Sequence, residues 1–206
     1  MSASTESHKS STRLAILEAA IQVFARLGYS GTNFREITAL CGAQRSLILY
    51  HFQNKETLWQ AAAEDVEKRF NAAFDSVFTE QQQASDRETA RYALSCFLDA
   101  LCEVPEYGQI YLREGATDSP RMEWLSRHFA PPRALRVQYR DPDIQKRLHT
   151  SVLRDILACT LVAFVTLGPL LERSRAVATG KSSAGTYELT PAKREELLDY
   201  LLRLIF

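Results

Sequence analysis

Residues 32–55 read TNFREITALCGAQRSLILYHFQNK, and this stretch decides the fold. Asn33 stands three residues before Glu36, the spacing of a capping box, which predicts a helix starting beside Asn33. Ile37 and Leu40 supply an apolar stripe at i, i+3, and Gly42 breaks the helix where a turn requires positive φ. A second run begins near Gln44 or Arg45 and buries Ile48 and Phe52, four apart on one face. Arg45, Ser46, Leu47, Tyr50 and His51 are left on the accessible side. Two short helices about a glycine turn form a helix-turn-helix, whose second helix presents its N-terminal side chains to a DNA major groove.

Upstream, Leu14, Leu17, Ile21 and Phe24 recur with helical period from Thr12 to Leu27, and Gly28 stops the run. The serine-rich polar residues 1–11 are read as a mobile arm. Downstream, Asn54 caps a helix from Lys55 to about Gln82, with Leu58, Ala62, Val66, Phe70, Phe74 and Phe78 every four residues. Ser85 and Glu88 repeat the capping-box spacing ahead of Ala90, Leu94, Phe97, Leu98 and Leu101. Pro105 starts a helix that ends near Gly115, and Pro120 starts another that Pro131-Pro132 stops. Residues 133–142 read as an exposed connector. One long helix is expected from Asp143 to about Val177, apolar almost all round between Ile156 and Leu171, and so buried on several sides. After a polar loop over 178–189, Thr190-Pro191 starts a last helix carrying Leu197, Leu198, Leu201, Leu204 and Ile205. The expected fold class is all-α: a three-helix head joined by a long helix to a helical body.

The chain has 206 residues, 46% of them hydrophobic, enough for a packed core and too many for a disordered chain. Its formal net charge is zero, but the distribution is uneven. Residues 1–55 hold six basic side chains (Lys9, Arg13, Arg26, Arg35, Arg45, Lys55) against three acidic ones (Glu6, Glu18, Glu36), leaving +3 there and −3 over the remainder. A modestly basic head on an acidic body suits a DNA reader. Cys41, Cys96, Cys102 and Cys159 fall in apolar helical stretches with no CxxC spacing and are expected to be buried free thiols. No signal-peptide core is present, and the 16-residue apolar run from Ile156 to Leu171 is shorter than the roughly 20 residues a bilayer needs. A cytoplasmic chain without membrane contact is expected. His8, His51, His128 and His149 show no HExxH or Glu-x-x-His pair, so neither catalysis, a metal nor a cofactor is expected.

The residues Phe24, Gly28-Tyr29, Thr32, Arg35-Glu36-Ile37, Cys41-Gly42-Ala43, Tyr50-His51-Phe52, Asn54-Lys55-Glu56 and Leu58 resemble, in register and without a gap, the tetracycline-repressor-type (TetR) family of bacterial regulators. The match covers roughly residues 12–60; beyond it the likeness is one of length and helical pattern. Four positions depart from the family. Cys41 stands for the usual Ala, Gln44 for a capping Ser, Ser46 for a frequent Gly and Leu49 for a first Tyr. The last change removes a phosphate contact and shifts that role to Tyr50 and His51. The resemblance implies a dimeric, ligand-responsive repressor of a pseudo-palindromic operator. It divides the chain into an arm (1–11), a DNA-binding domain (12–55) and an effector-binding and dimerisation domain (56–206).

On that reading Arg45 faces a base edge, with Gln44 and Ser46 beside it and Leu47 near a thymine methyl. Thr32, Arg35, Tyr50, His51 and Lys55 complete the DNA-binding set, Thr32 and Lys55 as phosphate contacts. Phe97, Leu101, Tyr107, Tyr111, Trp124, His128 and Phe164 are the candidate lining of a pocket for an unidentified small-molecule effector, with plain core packing as the alternative. The two tryptophans, Trp59 near the head and Trp124 in the body, are expected to report separately. Leu161, Phe164, Leu198, Leu201 and Ile205 are the candidate homodimer interface. The competing function is a helical small-molecule-binding or adaptor protein without sequence-specific DNA binding, which leaves the basic head unused.

Overall fold

The computed structural model describes residues 2–79, 84–128, 137–150, 152–180 and 187–206, and the regular structure among them is α-helix. The polar N-terminal residues form the first turns of α1 (Ser2–Gly31), where composition predicts an arm. Further along α1, Ile16, Leu17, Ala20, Ile21, Val23 and Phe24 turn inward while Leu14 stays exposed.

Gly28 breaks α1 with φ 69° and ψ 173°, a conformation open essentially to glycine alone. A break in a helix orphans backbone groups, and each must find a new partner. Three side chains supply them. The Arg113 guanidinium Nε donates to the Ala25 carbonyl at 3.0 Å. The Thr32 hydroxyl donates to the Gly28 carbonyl at 2.7 Å. The Tyr29 N–H donates to the Glu114 carboxylate at 2.8 Å.

Beyond the break come α2 (Phe34–Cys41), α3 (Arg45–Phe52) and α4 (Lys55–Val77). Asn54 caps α4 as expected, accepting the Thr57 N–H at 2.8 Å. This helix ends earlier than its apolar stripe predicts. The Tyr92 hydroxyl, on α5 (Asp86–Glu103), donates to the Val77 carbonyl at 2.6 Å and accepts the Thr79 N–H at 3.2 Å, closing the helix end. Ser85 caps α5 and pairs with Glu88, as the spacing predicts. Then follow α6 (Pro105–Glu114), α7 (Pro120–His128), α8 (Pro142–Thr150), α9 (Val152–Thr166), α10 (Gly168–Thr179) and α11 (Pro191–Ile205). Thr190 caps α11 through the Lys193 N–H.

The single helix expected over 143–177 is instead α8, α9 and α10. The break between α9 and α10 falls at Gly168-Pro169, where proline has no N–H to continue the ladder. A Cβ on Gly168 would overlap the Tyr187 ring, so the glycine admits that ring against the backbone. Residue 151, between α8 and α9, lies outside the described residues, as do the expected helix stop at Pro131-Pro132 and the start of the connector. The end of the connector is held by Asp86, whose carboxylate accepts the N–H groups of Arg140 and Asp141 at 2.9 and 2.8 Å.

The chain forms two compact units, one of Met1–Arg69 with Gln109–His128, the other of Phe70–Gly108 with Phe129–Phe206. Their boundaries fall inside α4 and inside α6. In the first, Ile16, Ile21, Phe24, Ile37, Ile48, Phe52, Leu58 and Trp59 make the core. In the second, α5, α9 and α11 pack together around Phe97, Leu98, Leu101, Leu157, Leu161, Leu198 and Leu201. Charged clips run from α5 to α11: Arg194 to Asp99 and Ser95, and Arg91 to Glu195 and Asp199. Of the four free thiols only Cys96 is buried; Cys41 is half-buried and Cys102 and Cys159 are exposed, because their helices turn them off the core face.

Glu114 is 9% exposed and also pairs with Arg121 at 2.9 Å, so one carboxylate holds both the break in α1 and the start of α7. Glu114→Ala should cost about 2 kcal/mol, because it leaves the Tyr29 N–H without its acceptor and leaves Arg121 only the more distant Glu56 carboxylate at 3.6 Å. Glu114→Gln, which keeps an acceptor, should cost less. Urea unfolding of both variants checks this; losses below about 0.5 kcal/mol, the range of neutral surface changes, would remove the carboxylate from that role.

Candidate nucleic-acid interface

Asn33 starts α2 with its side chain accepting the Glu36 N–H at 3.1 Å, and Gly42 ends it in the left-handed conformation with φ 69°. The turn Gly42-Ala43-Gln44 then launches α3, whose Ile48 and Phe52 are buried as the spacing predicts. Gln44 makes no side-chain cap, as its departure from the usual Ser implies, so the first amides of α3 lack a side-chain acceptor. Such an end favours an anion. Arg35, Gln44, Arg45, Ser46, Leu47 and Tyr50 are exposed, and His51 and Lys55 half-buried. Tyr50 is 64% exposed and meets His51 edge-on at 5.2 Å between centroids.

Five of the nine expected DNA contacts, Thr32, Arg35, Gln44, Arg45 and Lys55, line one open groove of about 820 Å³. Thr32 does so with its hydroxyl turned away. It is 2% exposed and bonded to the Gly28 carbonyl, so closing the α1 break takes the group that a phosphate contact needs. Asn33, Phe34 and Thr38 line the same groove and were not singled out by spacing alone. The signal is present: Phe34 and Thr38 stand at i, i+4 on α2, beside the Arg35 already chosen.

At the α4 end of the groove, Lys55 Nζ lies 4.3 Å from the centre of the Tyr29 ring, and Arg121 Cζ lies 3.8 Å from the same centre. Burial, and then the Arg121 charge, push the Lys55 ammonium below its usual pKa, while Glu114 and Glu56 pull it back. Of the two cations, Arg121 pairs with Glu114 at 2.9 Å and Glu56 at 3.6 Å, while Lys55 is held over the ring. The Tyr29 phenol is pushed up by burial and by its hydrogen bond to Glu56. Tyr29 also stacks on Phe24 and meets Trp59 edge-on.

The candidate effector residues divide between the two units. Phe97, Leu101, Tyr107 and Phe164 belong to the second, and Tyr111, Trp124 and His128 to the first. Phe97 and Tyr107 are buried against Phe70, with ring centroids 5.2 and 4.0 Å away, which is filled core. Trp124 meets Trp59 edge-on at 5.5 Å, so the two indoles share one environment and do not report separately. Among the candidate interface residues, Leu161, Leu198, Leu201 and Ile205 are buried in the second unit's own core, and Phe164 is half-buried. Four of the five thus have almost no surface left to offer a second copy. The long apolar run has both an inward stripe, with Leu157 and Leu161, and an outward one, with Ile156 and Leu170, and only the outward one is open to a second copy.

Residues 16–62 match the family model described as bacterial regulatory proteins, tetR family. The chain is 35% identical over 57 residues to the HTH-type transcriptional regulator RutR of Escherichia coli K12, covering 28% of this chain and 27% of that protein. It is 31% identical over 104 residues to the HTH-type transcriptional repressor NicS of Pseudomonas putida, covering 50% and 48%. The repressor AcnR of Corynebacterium efficiens is 27% identical over 164 residues, covering 78% and 70%. The fold matches a TetR-like transcriptional regulator from Rhodococcus sp. RHA1 at TM-score 0.54 and 18% identity, over 94% and 93% of the two chains. It also matches a structure described as a tetR family transcription regulator from Shewanella sp. PV-4 at TM-score 0.62 and 14% identity, over 93% and 96%. Residues 16–62, which hold the capped α2, the glycine turn and α3, thus match the DNA-binding segment of the bacterial regulatory proteins of the tetR family, and the helical fold as a whole is that of TetR-like structures.

Proposed function

We propose that the protein is a transcriptional regulator that binds a pseudo-palindromic DNA operator as a homodimer, acting as a repressor. The observation that carries this reading is the groove lined by Arg35, Arg45 and Lys55 beside the uncapped start of α3. It combines cationic donors, a helix N-terminus and an exposed recognition face, which are the parts that position a protein on phosphate and let it read bases. NicS and AcnR are repressors by name, which supports the sign. An adaptor without DNA binding has no use for such a groove, and retardation of duplex DNA at moderate salt separates the two readings.

The dimer reading is supported by apolar side chains that the second unit leaves outside. Val152 and Ile156 are exposed at i, i+4 on α9, Leu170 and Leu171 on α10, and Tyr200 and Leu204 at i, i+4 on α11. Exposed apolar surface of this kind marks an interface. Two heads held by a body dimer would meet half-sites about 34–36 Å apart. An effector is proposed to act from the second unit, where the Tyr187 hydroxyl is buried with no hydrogen-bond partner among the described residues. A ligand that satisfies it would have to change operator affinity reciprocally, by about 1–3 kcal/mol. Among the described residues no single helix is long and apolar enough to cross a membrane.

Two outcomes are expected. Arg45→Ala should cost about 1–3 kcal/mol on the preferred site and relax selectivity at one base position. Lys55→Ala should weaken all duplexes alike and lower the slope of log K against log salt by about one. Anisotropy titrations across a salt series check both; a sequence-independent loss for Arg45→Ala would take it out of base readout. Separately, sedimentation should show a dimer at micromolar concentration that Ile156→Arg with Leu170→Arg converts to monomer. A wild-type monomer at that concentration contradicts the interface.

A further inference from the structure

We propose that Phe34 is the residue that positions Arg45, and that the pair is built to read a guanine in each half-site. This rests on the DNA-binding reading above and deepens it. Phe34 and Arg45 are the first residues of α2 and α3, and both line the groove. The Arg45 guanidinium carbon lies over the Phe34 ring, 5.2 Å from its centre, within the roughly 6 Å at which a cation is held by an aromatic face. Among the described residues Arg45 pairs with no carboxylate, whereas Arg69, Arg91, Arg121 and Arg194 each do.

The difference matters for chemistry. An arginine clamped by a carboxylate has spent the N–H edge that recognises a base. An arginine held over a ring keeps its N–H donors unspent while losing the freedom of its long side chain before DNA arrives. That combination suits the paired acceptors O6 and N7 of guanine, which take two parallel N–H bonds from one guanidinium. Phe34 is itself fixed, since Asn33 caps the helix it begins and its ring is half-buried. Thr38, also in the groove, turns its hydroxyl to the Arg35 carbonyl at 2.9 Å.

The test uses duplexes selected from a randomised pool by the full wild-type chain. Each guanine of the selected site is then replaced in turn by 7-deazaguanine, which lacks the N7 acceptor, and Kd is measured by anisotropy. For wild type, one guanine per half-site should carry a penalty of about tenfold. Arg45→Ala should erase that penalty. Phe34→Leu and Phe34→Met, which fill the space without a ring, should shrink it to about threefold, and Phe34→Tyr should restore it. A residue that merely props up the fold would lower affinity for every duplex and leave the 7-deazaguanine penalty intact. A full penalty in both Phe34→Leu and Phe34→Met therefore overturns the positioning role, and a full penalty in Arg45→Ala overturns the guanine contact. If the wild-type chain enriches no sequence at all, the DNA-binding reading itself fails.

Discussion

Everything the head does depends on a break at Gly28. A helix that ran straight through α1 would leave no turn from which α2 could fold back across it. The break requires a glycine, since φ 69° with ψ 173° admits no ordinary side chain without strain. It also requires replacement partners for the severed ladder, because buried amides and carbonyls are costly when unpaired. Thr32, Arg113 and Glu114 provide them, one from the start of the helix-turn-helix and two from the end of α6. The helix-turn-helix is thus held at its root by residues some eighty positions later in the chain.

The same region concentrates charge. Glu114 and Glu56 face Arg121, and Arg121 and Lys55 both face the Tyr29 ring. A carboxylate that closes a backbone break also sets the charge beside the groove's cation, so the structural and electrostatic roles of this corner are not separable. Burial, and then the Arg121 charge, hold the Lys55 ammonium below its usual pKa, with Glu114 and Glu56 acting in the opposite direction. Gln44 contributes by omission: a capping Ser there would satisfy amides that are otherwise directed at an incoming anion.

Much of the head was legible in the sequence because its signals are local. Asn33 with Glu36, Gly42, and Ile48 with Phe52 each fix structure within one or two helical turns, and all stand where the spacing predicts. The Thr32 hydroxyl is taken by the Gly28 carbonyl four residues away, a contact that exists only because α1 breaks there. The other two groups that close the break, Arg113 and Glu114, are ones no local pattern brings near. The body shows the same limit. An apolar run from Ile156 to Leu171 has no single polar face, so the sequence does not separate the stripe that packs inside the protomer, with Leu157 and Leu161, from the one left outside, with Ile156 and Leu170. Gly168-Pro169 marks the break that splits the expected long helix, but no local pattern foretells the Tyr187 ring that Gly168 admits against the backbone. Position in the chain puts Trp124 with the body, whereas it belongs to the first unit and its neighbour there is Trp59.

The most direct measurement is a DNase footprint of the wild-type protein on the DNA upstream of its own coding region. A two-headed regulator built on this helix-turn-helix should protect a short segment with two-fold sequence symmetry. The strongest protection should repeat about one helical turn apart, in keeping with half-sites 34–36 Å from centre to centre. Uniform protection that appears only when the whole probe is coated would mean that the basic groove binds phosphate without reading sequence. No protection at any concentration would mean that the head is not a DNA reader.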